Sequence, residues 1–449
     1  MNAAPLGWKA VAISEVAQVV GGGTPPSKDQ KCFAAPGQGI PWVTPADLSG
    51  YKLQEISRGS RDLTPAGVAA CSAKLLPAGA VLFSSRAPIG YVAIASGPVA
   101  TNQGFKSFVF PEGIDSRFAY YQLRHIKPVA EALATGTTFK ELSGSAAAKL
   151  PFLLAPGSEQ KRIADKLDAV LTRVNAVNTR LASVAPILKR FRQSILAAAT
   201  LGRLTEDWRI ARGLKHGAET TLQAICLPDR VITYGVVKLG DETPGGTPCL
   251  RTSNVRWLRF ELDGMKLIDP NLSAEYRRTV LRGGEVLVNV RGTLGGVAVA
   301  TDDMAGWNVS REVAVVPVDQ ALASSAYISL WIASDECQRW LTGMTKGVAY
   351  TGINIEDLRT LPLKLPLKEE QVEIVRRVET LFAFAERLEV RLQTARRATE
   401  RLTPALLAKA FRGELVPQDP NDEPASELLR RLQQEAASTS TKRGRKSAE

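Results

Sequence analysis

Histidine is almost missing from this chain. Only His125 and His216 occur, so a histidine-based metal site or catalytic triad has almost nothing to draw on. The five cysteines (Cys32, Cys71, Cys226, Cys249 and Cys337) are odd in number, scattered, and never spaced as CxxC. That usage fits a reducing cytoplasm and argues against structural zinc. No apolar run reaches the roughly eighteen residues a membrane span requires. Nor does the N-terminus set a basic stretch before an apolar core, so neither a signal peptide nor a membrane association is expected. Phosphate-cradling GxxxxGK[ST], dinucleotide-binding GxGxxG, HExxH and GxSxG are all absent. So is the Asn/Asp-Pro-Pro-aromatic signature of adenine methylation, and Pro228-Asp229 is not followed by the Asp/Glu-x-Lys of a nuclease. The expectation is a chain with no active site, metal or cofactor of its own.

Positive charge is what the sequence has in excess. The formal net charge is +12 and the pI is near 9.5. Lys442, Arg443, Arg445 and Lys446, less Glu449, account for +3 of it, leaving +9 for the rest. A polyanionic partner is one implication.

A long internal repeat is also present. Leu150-Pro151 returns as Leu361-Pro362, Glu159-Gln160 as Glu370-Gln371, and Gly202-x-Leu204 as Gly413-x-Leu415. The offset is 211 throughout, without a gap, so one rigid element is used twice. Within it, apolar or small residues step by four and three. The first copy has Ile163, Leu167, Val170, Val174, Val177, Leu181, Val184, Leu188, Phe191 and Ile195. The second has Ile374, Val378, Leu381, Ala385, Leu388, Leu392, Ala395, Thr399, Leu402 and Leu406. That is the seam of a coiled coil, on helices of about 40 residues and roughly 60 Å. A lone seam exposes an apolar stripe, so each helix is expected to pair with the other, antiparallel. Ser158 is the expected N-cap of the first helix, and Pro186 and Pro404 mark places where the helices are expected to kink or break.

The fold class expected is α+β: two mixed α/β domains alternating with two long helices that pair as an antiparallel coiled coil. Residues 1–150 form the first domain, 151–205 the first spacer helix, 206–360 the second domain and 361–416 the second spacer helix. Residues 417–449 are expected as a disordered tail, with a short helix at most over residues 426–437. In the first domain, residues 40–43, 80–83, 91–95 and 105–110 read as strands, residues 21–26 as a flexible glycine-rich loop, and residues 117–133 as a helix. The second domain repeats this order loosely. Arg291-Gly292-Thr293-Leu294-Gly295 stands where Arg86 to Gly90 stood, and Asn308 near the slot of Asn102. A kept scaffold with altered loops is how two copies of one reader look when each reads something different.

Two heads on a paired bar make a ruler, and B-DNA suits one because sites a helical turn apart (roughly 34 Å) face the same side. Arginine can bridge guanine O6 and N7, and Asn or Gln can bridge adenine N6 and N7. The candidate DNA contacts are Lys28, Arg86, Asn102, Gln103, Lys106 and Lys140 in the first domain. In the second they are Asn254, Arg256, Arg291, Asn308, Arg311, Lys346 and Tyr350. Arg86 and Arg291 lead, because both precede a small-residue turn. Trp42, Phe139 and Tyr350 also read as core aromatics.

Two variable domains, with long repeated helices introduced by Leu-Pro-(x)n-Glu-Gln and closed by Gly-x-Leu, resemble the specificity subunit of type I restriction-modification systems. The resemblance covers residues 1 to about 416. Leu361 to Gln371 follows the family's pattern closely, whereas Leu150 to Gln160 carries Ala155-Pro156-Gly157 where a Pro-Leu pair is usual. The resemblance implies two target recognition domains, each reading half of a split double-stranded DNA site. It also implies docking of two methyltransferase subunits, with restriction subunits joining the complex. S-adenosylmethionine, ATP and magnesium are then used by those partners, and none is bound by this chain.

Overall fold

The structure, a computed structural model, describes residues 4–86, 88–136, 140–344 and 352–446, with side chains described to residue 435. It divides into two compact units, Met1–Arg180 with Ala395–Glu449, and Leu181–Thr394. Each unit holds one domain and a half of each of two long helices, Gly157–Thr200 and Lys368–Ala410.

In the first unit a five-stranded sheet runs in the order 18–21, 106–109, 81–83, 92–95, 55–56. Alternation decides its two faces. Val81, Phe83, Ile94 and Phe108 face a core shared with the helix Ser116–His125 and the start of the first long helix. Leu82, Ala93, Ala95 and Phe105 face the opposite way, onto Val43, Leu76 and Val99. Both faces are covered, which is why Val81–Phe83 is apolar at every position. A four-stranded sheet, in the order 33–34, 61–63, 40–43, 100–101, completes the domain.

The second unit repeats the plan. Val286, Val288 and Ala314 pack toward the helix Ser325–Ile332 and the long helices, whereas Leu287, Val313 and Val315 pack the other way. Its main sheet runs 233–234, 313–316, 286–289, 297–299.

The domains are mounted on the long helices alike. Strand Pro151–Leu154 pairs antiparallel with Lys9–Ala12, and Pro362–Leu365 with Ala218–Thr221. The repeated Glu-Gln follows at once. Gln160 Oε1 accepts from the Asp115 amide at 3.0 Å, and its amide nitrogen donates to Ala155 O at 2.9 Å. Gln371 makes the same pair with Ser324 N at 2.7 Å and Pro366 O at 2.8 Å. Asp115 and Ser324 are the N-caps of the two domain helices, so this glutamine joins one helix start to another. The partner of the preceding glutamate differs. Trp8 Nε1 donates to Glu159 at 2.9 Å, whereas Glu370 is ion-paired with Arg209 at 2.5 Å and accepts from Thr205 Oγ1 at 2.7 Å.

The heptad seam serves two partners in succession. Ile163 and Leu167 join the first domain's core with Phe118 and Phe152, and Ile374 and Val378 join Tyr327 and Leu363 in the second. Farther on the helices pack on each other. In the second unit Leu181, Val184 and Leu188 meet Ala385, Leu388 and Leu392, beside an Arg192–Glu389 ion pair at 2.5 Å. Ile195 shares a core with Val378 there, so numbering rises on one helix as it falls on the other and the pair is antiparallel. In the first unit Leu167 and Leu171 share a core with Leu407, Ala410 and Phe411.

Several expectations are corrected. Neither long helix breaks at its proline: both continue through Pro186 and Pro404, because the lost backbone donor and the crowded preceding carbonyl are local costs in a helix held by packing along its length. The first long helix begins at Gly157, so Ser158 lies inside its first turn, where its hydroxyl donates to Asp422. Val177 is 42 % and Leu402 43 % exposed, so neither belongs to the seam. A strict heptad pattern drifts about 20° per repeat on a straight helix, and burial moves to Leu171 and Leu407. The helix expected over residues 117–133 is two, Ser116–His125 and Lys127–Leu133, parted at Ile126 just before Pro128. Gly22 is pinned rather than flexible: a Cβ there would meet Asn102 O at 1.9 Å.

The tail also differs. A helix spans Ala425–Lys446, and Ala425, Leu428, Leu429 and Leu432 are buried in the first unit's core. Their spacing makes one apolar face, enough to dock a helix on an existing core. Asp422 anchors its approach through an ion pair with Arg162 at 2.5 Å.

Candidate nucleic-acid interface

Each domain carries a tight turn at the end of a central strand, capped by a side chain at the matching position. In the first, Ser84 Oγ donates to Pro88 O at 2.7 Å and accepts from the Tyr91 amide at 2.8 Å. In the second, Asn289 Nδ2 donates to Thr293 O at 3.1 Å and also to Val255 O at 3.1 Å. Both turns close on a glycine in the left-handed region, Gly90 at φ +89° and Gly295 at φ +90°, a conformation that a side chain disfavours. Arg86 and Arg291 sit at the head of these turns, as the sequence suggested.

Backbone pairing then brings other loops to each turn. In the first domain, Ser85 N donates to Gly104 O at 2.7 Å and Leu142 N to Ser85 O at 2.8 Å. Arg86, Asn102, Gln103, Lys106 and Lys140 thereby share one end of the domain. Glu141 lies between two of them, 3.8 Å from the Arg86 guanidinium and 3.7 Å from Lys106 Nζ. Gln103 and Lys140 are exposed. Asn102 accepts from Gly104 N at 2.9 Å, which shapes its own loop. Lys28 is exposed on a separate loop, residues 22–29.

In the second domain, Val290 N and Arg291 N both donate to Glu312 O, at 2.9 and 3.3 Å, and Ile353 N donates to Val290 O at 2.7 Å. Arg291 and Arg311 therefore lie together. The hairpin 255–260 stands beside them through Asn289, and carries Arg256, whose Nε donates to Glu261 at 2.9 Å. Arg291 lies over the Tyr234 ring, 5.5 Å from its centroid.

Two expected contacts belong to the fold instead. Asn254 is fully buried, accepting from Arg251 N at 3.0 Å and donating to Glu261 O at 2.9 Å. Asn308 is fully buried too, held by Thr279 Oγ1 at 2.7 Å and Ser273 Oγ at 3.0 Å. Amides buried and bonded within the protein present no donor at the surface. The pairing also shows why Asn308 misled. Asn102 N donates to Val43 O and Ser310 N to Leu250 O, so the counterpart of Asn102 is Ser310, two residues on. Lys346, Tyr350 and Phe139 lie outside the described residues, and Trp42 is buried, its indole donating to Gly23 O at 3.2 Å.

Sequence reasoning missed Glu141 and Tyr234. Their signal lay in the repeat, hidden by a drifting offset: Gly22 corresponds to Gly235 only at a spacing of 213. Among the described residues, no group of three or more His, Cys, Asp or Glu side chains is placed to hold a metal ion. No helix searched is long and apolar enough to cross a membrane.

Known proteins show the same plan. The family model described as "Type I restriction modification DNA specificity domain" matches residues 5–184 and 260–394. The EcoBI specificity subunit of Escherichia coli is 32% identical over 369 residues, 78% of each chain. The EcoKI specificity subunit of Escherichia coli strain K12 is 29% identical over 325 residues, 70% of this chain and 69% of that one. Among solved structures, a chain from work on complex assembly and conformational transition of the type I R-M system superposes with a TM-score of 0.67. It is 20% identical and covers 92% of this chain and 100% of that one. The HsdS subunit from Thermoanaerobacter tengcongensis gives 0.58 at 20% identity, covering 92% and 98%. Sequence and architecture agree, and the chain belongs to the type I restriction-modification DNA specificity family.

Proposed function

We propose that this non-catalytic specificity subunit reads a bipartite DNA site, one half with each domain, and that the paired helices set the unread gap. The observation that carries this reading is the duplicated arginine turn, capped by a side-chain bond to the matching carbonyl (Ser84 to Pro88 O, Asn289 to Thr293 O) and closed by a left-handed glycine in both domains, with different residues around it. The heads are alike in frame and unlike in their polar surroundings, as two half-sites of different sequence require. The donors around each turn (half-buried Arg86 with exposed Gln103 and Lys140; half-buried Arg291 and Arg311) suit base edges and phosphates. The helix pair offers equivalent docking places to two methyltransferase subunits, through which restriction subunits join. S-adenosylmethionine, ATP and magnesium act in those partners.

The test is a footprint of the chain assembled with its methyltransferase partner. A bipartite footprint is expected, weakening with salt at a slope of about −0.9 per phosphate neutralised. Protection unaffected by the loss of both Arg86 and Arg291 would instead fit an adaptor that merely holds protein partners.

A further inference from the structure

The two arginine turns differ in how their guanidinium is held. Backbone pairing gives the correspondence without reference to side chains. Arg86 bridges to Glu141, and Arg291 bridges to Gly352. Lys106 pairs with Gly21, and Ala314 pairs with Tyr234. So where the first domain has Glu141, Lys106 and Gly21, the second has Gly352, Ala314 and Tyr234. The first surrounds its arginine with a carboxylate and a second cation. At the matching positions the second has neither and supplies an aromatic ring, its other cation, Arg311, coming from a different place in the chain.

The consequences are electrostatic. Arg86 and Lys106 share one partly exposed carboxylate, which draws both away from any incoming anion. Arg291 has no carboxylate within ion-pair reach among the described residues. Its aliphatic stem runs past Gly352, where a Cβ would meet Arg291 Cγ at 3.1 Å, and its guanidinium lies over Tyr234, itself 38 % exposed. An aromatic face holds a guanidinium by its quadrupole without taking up its in-plane N–H donors. A bidentate contact to guanine O6 and N7 needs just that: a charged, oriented fork with free donors.

Resting on the DNA-reading function proposed above, we propose that Tyr234 is a positioning residue and Arg291 a base-reading one. The pair makes the second domain discriminate a guanine–cytosine pair in its half-site. Arg86, tethered by Glu141, is the weaker reader of the two. Neither role is shared between the domains, because Gly21 has no ring to offer and Gly352 no carboxylate.

The experiment uses the full chain with its methyltransferase partner, binding duplexes in which each base pair of the second half-site is changed in turn. Tyr234→Ala should lower discrimination at one guanine–cytosine pair by about 3- to 30-fold, the range of a cation–π contact, leaving the first half-site unaffected. Tyr234→Phe keeps the π face and should restore it. Gly352→Glu imports the first domain's tether and should weaken the same position. Arg291→Lys should lose discrimination while keeping the charge. If Tyr234→Phe behaves like Tyr234→Ala, or if Arg291→Ala weakens all sequences equally and lowers the salt slope by about one unit, Arg291 is a phosphate contact and the proposal fails. If the wild-type complex shows no sequence-selective binding, the functional reading fails first and this inference with it.

Discussion

Replacing Arg209 with methionine should destabilise the second unit severely while leaving the first intact. Arg209 is 5 % and Glu370 1 % exposed. Their contact is 2.5 Å, and a second guanidinium nitrogen donates to Gly202 O at 2.9 Å, at the C-terminal end of the first long helix. Removing the arginine strands a buried carboxylate with Thr205 as its remaining partner among the described residues, where Oε2 of Glu370 already has none. Breaking one side of a buried pair costs about 3–5 kcal/mol. At about 2–4 °C per kcal/mol for a unit of this size, the second unit's transition in scanning calorimetry should fall by about 6–20 °C. Arg209→Met combined with Glu370→Gln removes the stranded charge and keeps an acceptor for Thr205, so it should recover most of that loss. A shift under about 2 °C in the single variant, or a double variant as unstable as the single, would refute the reasoning.

Other perturbations address the first unit. Ending the chain at Leu415 removes the burial of Leu428, Leu429 and Leu432, each about 1.5–3 kcal/mol; the first unit's calorimetric transition should fall or vanish while the second's stays. His125 stacks on Phe411 at 5.2 Å, and burial, aided by Arg412, lowers its pKa below the usual value. The unfolded chain therefore takes up this proton first, and the first unit should lose stability as pH falls through about 6.5 toward the lower folded value, then level off. His125→Gln should flatten that dependence in a melt series; Glu159, whose pKa burial raises, works in the opposite direction at lower pH. Gly22→Ala must displace the Asn102 backbone, so it should impair binding at the first half-site alone, measured with duplexes mutated in one half at a time.

Much of this was legible in the sequence because the repeat is gapless where it is rigid. The Glu-Gln pair, the Gly-x-Leu close and the apolar steps foretold the long helices, and the strands at Ile40–Val43 and Val81–Phe83 followed from apolar runs between turn residues. Periodicity could not show that Ile163 and Ile374 pack on a domain while Leu188 and Leu392 pack on a helix, since both demand the same spacing. Nor could it foresee Val177 and Leu402 at the surface, because helix drift is a three-dimensional effect. The arginine turns were legible because both copies keep Arg and Gly four positions apart. Their surroundings were not: Glu141 and Tyr234 reach the turns only through strand pairing, and Asn254 and Asn308 look like readers until their amides are seen to be used. The tail carried its own signal, Leu428, Leu429 and Leu432, which the polar residues around it obscured.

The central claim is that the helix pair fixes the distance between two DNA-reading heads, and lengthening the pair tests it most directly. One heptad added to each long helix, after Arg180 and after Thr394, adds about 10 Å at 1.5 Å per residue, near three base pairs of B-DNA at about 3.4 Å each. Adenine methylation mapped across a genome carrying the lengthened subunit and its partners should show both half-sites unchanged and the gap wider by about three base pairs. Half-sites that change while the gap does not would contradict the account.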